Sequence, residues 1–447
     1  MTSNELEIKW MRAEEIARNH NYAKPLLFKD GPTRFDINQG KLGDCWFLAT
    51  LANLPAYPRV FDKVLDKSQS FENNPGIFCF KFWQYGEWVE VVIDDYLPTL
   101  NGKLLFLKSD SPDEFWTALI EKAYAKLYGN YTSALSGGLI GSSMEDLTGG
   151  VAESYFDQFP PFKVMLKAHQ KGAMIGASIR LKGRQPEEDT IPITTKSNTI
   201  EDLKKQKYED IKKKLQEEKN TFEDPLFPKS QSSIGPINLN RTHPEEVFEN
   251  GLVDGHAYSV TKVVEFEAKG EIHQLVRVRN PWGNQVEWNG AWSDKSPEWN
   301  NLSEKEKSDL GLINEQDGEF FIAYQDFVKQ FSWLDICHIS LDSFNDIGWF
   351  KQEIRDSCIK EPNSVGGMAN IHLNPQYLVD LKDTDNDSDE ICTSLISLLQ
   401  VGGRRKKAEG MEFDEAFASI CKNFPFFFTA LSKLFYFSRF LFVQCKQ

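Results

Sequence analysis

Apolar residues recur at helical spacing over residues 45–54 and 113–128, the second run preceded by Ser111, Pro112 and Asp113 as start signals and followed by Gly129 as a stop. Between these helices, residues 76–97 read as two strands around a turn at Tyr85 and Gly86. From about Ile140 the pattern changes, and 256–264, 272–280, 319–324 and 335–342 read as strands. The predicted class is α+β: a helical half, then a half built on a twisted antiparallel sheet, with a cleft where the two meet.

The start of the first helix carries the most informative residues. In QGKLGDCWFL, residues 39–48, Cys45 stands where a glycine-containing loop gives way to an apolar helix. Backbone N–H groups and the positive end of the helix dipole favour a thiolate there, which is the reactive form of cysteine. Six residues earlier, Gln39 can offer a side-chain N–H beside the backbone N–H of Cys45, and the pair would make an oxyanion hole.

A nucleophilic cysteine needs a base, and the base needs an orienting group. GHAYSV, residues 255–260, puts His256 at the head of a β-prone run, and VRVRNPWG, residues 276–283, puts Asn280 just past an alternating strand. Neighbouring strands would hold the imidazole and the amide side by side, with Trp282 covering their hydrogen bond from water. The amide oxygen would fix the tautomer and leave the other ring nitrogen to take the thiol proton.

Composition narrows the setting. A chain of 447 residues predicts two or three domains. Met1 to Arg18 carries charges throughout and has no apolar core segment, so no cleavable signal is expected. The seven cysteines, at 45, 79, 337, 358, 392, 421 and 445, lack framework spacing and read as free thiols in a reducing compartment. A formal net charge of −15 argues against a nucleic-acid partner and suits an acidic enzyme or one with cation sites.

Taken in order, QGKLGDCWFLA, GEWVEVVIDDYLPT, EFWTALIEKAYAKLYGNY, ALSGG, DLTGGV, GHAYSV, RVRNPWG, VEWNGAWSD and DGEFFIAYQDF resemble the calpain family, calcium-dependent papain-like cysteine proteases, from about Lys9 to Ile339. The resemblance implies a two-lobed protease core, with Cys45 as nucleophile, His256 as general base and acid, Asn280 as orienting residue and Gln39 as oxyanion donor. Gly138 and Gly255 match positions that pair with an extended substrate backbone, and Trp282 joins them at the substrate cleft. It also implies two calcium sites. Asp36, Glu114 and the backbone carbonyl of Gly31 match ligands in the helical half, and Glu287, Asp294, Asp317 and Glu319 match ligands in the sheet half. Calcium would then rearrange the halves to bring Cys45 within reach of His256 and move Trp282 out of the cleft. The expected activity is limited proteolysis of cytoplasmic proteins through an acyl-enzyme. The alternative is a catalytically silent, calpain-like binding protein.

The chain departs from the family in three places. A charged segment, 182–241, interrupts the sheet half before GHAYSV, and reads either as a duplicated or misassembled exon or as a surface loop with a helix of its own. The expected domains are thus 1–139 and 140–343 as the two lobes and 344–447 as a partial calpain β-sandwich. The acidic run Asp383 to Glu390 begins like an EF-hand loop, but Ser388 stands where the loop needs glycine and Ser394 where it needs a bidentate glutamate, so an EF-hand is rejected. With no carboxy-terminal EF-hand domain, no small-subunit partner is expected. Finally, the Phe-rich stretch 421–445 offers a membrane span as one reading, against which Pro425, Lys433 and Arg439 break the apolar run that hydrocarbon requires. It reads as a translated intron or as an amphipathic helix in transient contact with a membrane surface.

Overall fold

A computed structural model describes residues 8–73, 76–84, 86–180, 246–312 and 317–339, and five further strands between 349 and 446 by their backbone alone. The insertion 182–241 and the acidic run 383–390 lie outside the described residues.

The first part of the chain runs β1 (Ile8–Arg12), α1 (Ala13–Asn19), α2 (Cys45–Asn53), α3 (Pro58–Val64), β2 (Ile77–Gln84), β3 (Glu87–Asp94), β4 (Tyr96–Leu100), β5 (Lys103–Leu104), α4 (Trp116–Tyr128), α5 (Tyr131–Leu135) and α6 (Ile140–Thr148). Every residue of α2 from Trp46 to Asn53 is buried, as befits a helix apolar on all sides. Phe47 stacks on Tyr124 of α4 at 4.4 Å between ring centroids. Thr50 shares a 2.6 Å hydrogen bond with Ser143 of α6. The β2–β3 hairpin matches the two strands expected over 76–97. A second small sheet, in the order β1-β4-β5, was not foreseen.

The α4 helix starts at Trp116, three residues later than the pattern predicted. Leu26 holds this stretch out of the helix through an isolated bridge to Glu114: its N–H donates to the Asp113 carbonyl at 2.7 Å and its carbonyl accepts from Phe115 at 3.0 Å. Glu114 is therefore a loop residue rather than part of the helix.

The second part contains β6 (Val151–Phe156), α7 (Phe162–Gln170), β7 (Met174–Ser178), β8 (Ala257–Ala268), β9 (Glu271–Arg279), α8 (Glu304–Leu310), β10 (Glu319–Ala323), α9 (Tyr324–Gln330) and β11 (Trp333–His338). Its six strands form one sheet in the order β10-β9-β8-β7-β11-β6, antiparallel throughout. The β8–β9 hairpin closes on Lys269 and Gly270, both at positive φ (53° and 81°), the geometry that a two-residue turn needs to match strand twist. One face buries Ile175, Val260, Val278, Ile322 and Leu334 beneath Met165 and Phe327. β7 escapes a pattern reading because its residues are small. Gly176 lies under α6, where a Cβ would come within 2.7 Å of Ile140.

The helix carrying Cys45 packs against this sheet. Asn53 Nδ2 donates to the Ile175 carbonyl of β7 at 2.9 Å, and α2 runs along β8, the strand that His256 precedes.

Beyond residue 344, β12 (Trp349–Arg355), β13 (Ser394–Leu398) and β16 (Phe440–Lys446) form a sheet with β16 in the middle, and β14 (Ala416–Ala418) pairs with β15 (Phe435–Phe437). The end of the Phe-rich tail is thus extended rather than an amphipathic helix, in keeping with the β-propensity of its Phe and Val residues. Among the described residues, no helix is long and apolar enough to cross a membrane.

Candidate active site

Cys45 is the first residue of α2 and half-buried, with Asp44 at the N-cap. The Asp44 carbonyl accepts from Phe47 at 2.8 Å and Leu48 at 3.0 Å, which closes the first turn and leaves the N–H groups at the very start of the helix turned toward the cysteine end. Trp46 is pinned by a 2.9 Å bond from its indole Nε1 to the Leu135 carbonyl.

His256 and Asn280 are both fully buried. His256 Nε2 lies 2.8 Å from Asn280 Oδ1, an acceptor, so Nε2 carries a proton. Asn280 cannot turn. Its Oδ1 also accepts from Trp282 N at 3.0 Å, its Nδ2 donates to the Val286 carbonyl at 3.2 Å, and its backbone N donates to the Gly318 carbonyl at 2.8 Å. The Trp282 ring leans on the imidazole at 5.1 Å between centroids, where it shields the pair from solvent.

Gln39 sits where the two halves touch: its backbone N donates to the Pro281 carbonyl at 3.1 Å. Its side-chain Nε2 donates to the Leu42 carbonyl at 2.8 Å and to Asp44 Oδ1 at 3.2 Å. Both amide hydrogens are thereby engaged within the chain, so an oxyanion would have to displace one of these acceptors.

Gly138 is exposed, and a Cβ there would lie 2.4 Å from the Trp46 ring, so packing calls for glycine. Gly255, directly before His256, has φ of +61°, a left-handed turn that sends the chain into β8.

The match to known proteins is as broad as the motifs suggest. Residues 1–338 match the description "Calpain family cysteine protease". The chain belongs to the calpain family of cysteine proteases. It is 39% identical over 425 residues to Calpain-A of Drosophila melanogaster, covering 91% of this chain and 44% of that protein. Against the human Calpain-2 catalytic subunit it is 38% identical over 416 residues, 90% of this chain and 50% of that one. Against Calpain clp-1 of Caenorhabditis elegans it is 35% identical over 430 residues, 91% and 46% respectively. The chain therefore spans about half the length of the curated relatives it matches.

The seven positions expected around calcium fall into two groups. In the first, Asp36 accepts from Thr33 N and Oγ1, each at 2.7 Å, and from Trp116 Nε1 at 3.1 Å. Glu114 accepts from Lys29 N at 2.6 Å and from Ser109 Oγ. Burial, then the nearby Asp36 and Asp113, push the Glu114 carboxyl up to about 7. Gly31, at φ of +90°, borders open space.

In the second group, Glu287 accepts from Gly318 N at 2.8 Å and Asp317 from Glu319 N at 2.8 Å. Glu319 is held by Arg34 at 2.8 Å and Thr261 at 2.7 Å, with Arg277 at 3.5 Å. Burial, then Glu287, Asp317 and Glu319, push Asp294 up to about 7. Among the described residues, no three such groups converge as a ready ligand set, because the chain's own donors occupy the oxygens. The donors are all oxygens, the ligand type that suits a hard cation.

Motif reading passed over Arg34 and the pair Asp44 and Glu121. Arg34 lies in the 3₁₀ turn that carries Asp36 and reaches Glu319 on β10, so one side chain ties the two carboxylate groups together. Glu121 is the one acidic residue of α4, which also carries Lys122 and Lys126, and only the fold shows that it is buried.

Proposed function

We propose that this chain is a cytoplasmic, calcium-controlled cysteine endopeptidase that makes limited cuts in protein substrates, with lobes dividing near residue 139. The observation that carries the reading is the 2.8 Å contact of His256 Nε2 with a fully immobilised Asn280 Oδ1, His256 lying directly ahead of β8, the strand that packs against the Cys45 helix. It leaves His256 Nδ1 as the basic nitrogen.

His256 Nδ1 takes the Cys45 proton, and the thiolate sulfur attacks the carbonyl carbon of the scissile peptide. The oxygen, now an anion, is stabilised by the Cys45 backbone N–H and by Gln39 once its amide gives up an internal acceptor. As the tetrahedral intermediate collapses, the C–N bond breaks and His256 returns the proton to the leaving amine. Water, deprotonated by His256, then cleaves the thioester and frees the acid and Cys45. Asn280 holds the imidazole in one tautomer through both halves of the cycle.

Calcium would be held by Gly31, Asp36 and Glu114 and by Glu287, Asp294, Asp317 and Glu319, supplying the positive charge these clustered carboxylates lack. Arg34 bridges the two groups, which supports coupling between them.

The test is cleavage of casein by the purified chain with calcium and with excess chelator. Calcium-dependent cleavage that disappears in Cys45→Ala is expected. A folded chain that cleaves nothing would favour the silent binding protein, and equal cleavage in chelator would remove the calcium control.

A further inference from the structure

The segment that holds Gln39 touches the turn that holds Asn280 and Trp282 along one short seam. Gln39 N donates to the Pro281 carbonyl at 3.1 Å. Beside this bond, Asn38 faces Gly283 so closely that a Cβ added to the glycine would lie 2.0 Å from Asn38 Oδ1 and 3.3 Å from the Ile37 carbonyl oxygen. The glycine Cα hydrogen on that side therefore points at the amide oxygen, a Cα–H···O contact that any side chain would destroy. Gly283 is also left-handed, at φ of +61°, which again calls for glycine.

Asn38 is held in this orientation. It is buried, and its backbone exchanges bonds of 3.1 and 3.2 Å with Lys108. Its Nδ2 donates to Asp110 Oδ1 at 2.8 Å and, at the longer distance of 3.4 Å, to the Phe35 carbonyl. A carboxylate and a carbonyl only accept, so they take the NH2 side of the amide and leave its oxygen facing Gly283. Both sides of the seam are braced. Lys41 N donates to the Leu105 carbonyl at 3.0 Å, and a Cβ on Gly40 would lie 2.1 Å from the Phe106 carbonyl oxygen. Across the seam, Gly283 N donates to the Asn280 carbonyl at 3.1 Å, which closes the turn around Trp282.

We propose that Asn38 is a positioning residue: with its amide turned by Asp110, it sets the spacing between Gln39 and the turn that carries Asn280, and so between the oxyanion donor and the base. The proposal rests on the protease reading above. It adds that an exposed carboxylate, Asp110, acts on the site through a single amide. Spacing matters at this scale because a misplacement of about 1 Å can slow a reaction about a hundredfold.

Exchanging the polarity of the pair separates this role from simple packing. Asn38→Asp keeps the shape but sets two carboxylates against each other, whereas Asn38→Asp with Asp110→Asn rebuilds the hydrogen bond in the opposite direction. With active-site concentration normalised by Cys45 titration, Asn38→Asp should lower kcat by about tenfold or more while KM moves less than about threefold, since a displaced oxyanion donor is felt in the transition state. The double exchange should recover kcat to within about threefold of wild type. Gly283→Ala probes the other face of the seam. Asn38→Ala should slow the wild-type chain about threefold or more, yet speed the Gly283→Ala variant, because it removes the oxygen that the new methyl group meets.

A folded Asn38→Asp variant with wild-type kcat overturns the proposal, as does a double exchange as slow as Asn38→Asp alone. Should Asn38→Asp not fold, the uncharged Asn38→Ala carries the same test, and wild-type kcat in that variant overturns the proposal. Crystal structures of the full chain at neutral pH read the spacing without reference to activity. In Asn38→Asp, repulsion from Asp110 should part the seam and open the distance from Gln39 N to the Pro281 carbonyl beyond about 3.5 Å, and the double exchange should close it again. A distance that stays at its wild-type value in Asn38→Asp overturns the proposal. A seam that opens and closes in this way, in a chain whose wild type cleaves no casein, supports the spacing role of Asn38 and overturns the protease reading and with it the catalytic consequence, so the two failures are told apart.

Discussion

His256 and Cys45 are held very differently. The imidazole is buried, its partner Asn280 is bonded through Oδ1, Nδ2 and backbone N, and Trp282 covers both. On the helix side Cys45 is half-buried, and Gln39 spends both amide hydrogens on Leu42 and Asp44. In the proposed mechanism the base is organised before substrate arrives, while the oxyanion donor would change partners during the reaction. A rigid base prevents the wrong tautomer, and an adaptable donor concentrates its hydrogen bond in the transition state, where it accelerates the chemistry.

The sharpest way to break this contrast is at the nucleophile. Cys45→Ala should lower casein cleavage by roughly 10⁶-fold while circular dichroism and the melting temperature stay near wild type, because one small group is lost at a helix start. Residual cleavage near wild type would move the nucleophile elsewhere.

Next comes the donor. Gln39→Ala should reduce kcat by roughly 10²- to 10³-fold with little change in KM, the cost of losing one oxyanion hydrogen bond. A change confined to KM would mean that Gln39 serves ground-state binding only.

Asp335 extends the comparison to the sheet half, where burial is complete and its consequence is pH dependence. Ser154 Oγ at 2.5 Å and Trp333 Nε1 at 3.2 Å both donate to its Oδ1. Burial pushes the carboxyl from 3.8 up to about 6. A raised acid binds its proton more tightly in the folded state, so its contribution favours folding at low pH and is lost as pH climbs between those two values. Asp335→Asn should flatten this part of the profile, with a difference reaching about 3 kcal/mol in urea unfolding followed through that window. Parallel wild-type and variant profiles would show that the carboxyl ionises as freely in the folded chain as in the unfolded one.

The smallest effect is expected in calcium response. Glu287→Gln with Asp294→Asn should raise the calcium concentration for half-maximal cleavage by about tenfold, roughly 1.4 kcal/mol, and leave the rate at saturation much less changed. An unmoved midpoint would dissociate these carboxylates from control.

Much of the molecule was legible from local pattern. The Cys45 helix, the β2–β3 hairpin, and strands β8, β9, β10 and β11 follow from periodicity and from turn residues such as Lys269–Gly270, because each is decided by neighbours in the chain. The motif order also pointed to the family before any geometry was known. Other features needed the fold. Residues 113–115 stay out of the helix because Leu26 bridges to Glu114, and β7 is a strand although Gly176 is a poor strand former, because α6 must approach it closely. The sequence could name Gln39 as a donor but not show that Leu42 and Asp44 already claim its hydrogens. Nor could it reveal that Arg34 meets Glu319 across 285 positions. Periodicity and turn chemistry act over a few residues and are written in the chain itself. Burial, proton sharing and ion pairing depend on which distant segments share a space, and only the packed tertiary structure decides that.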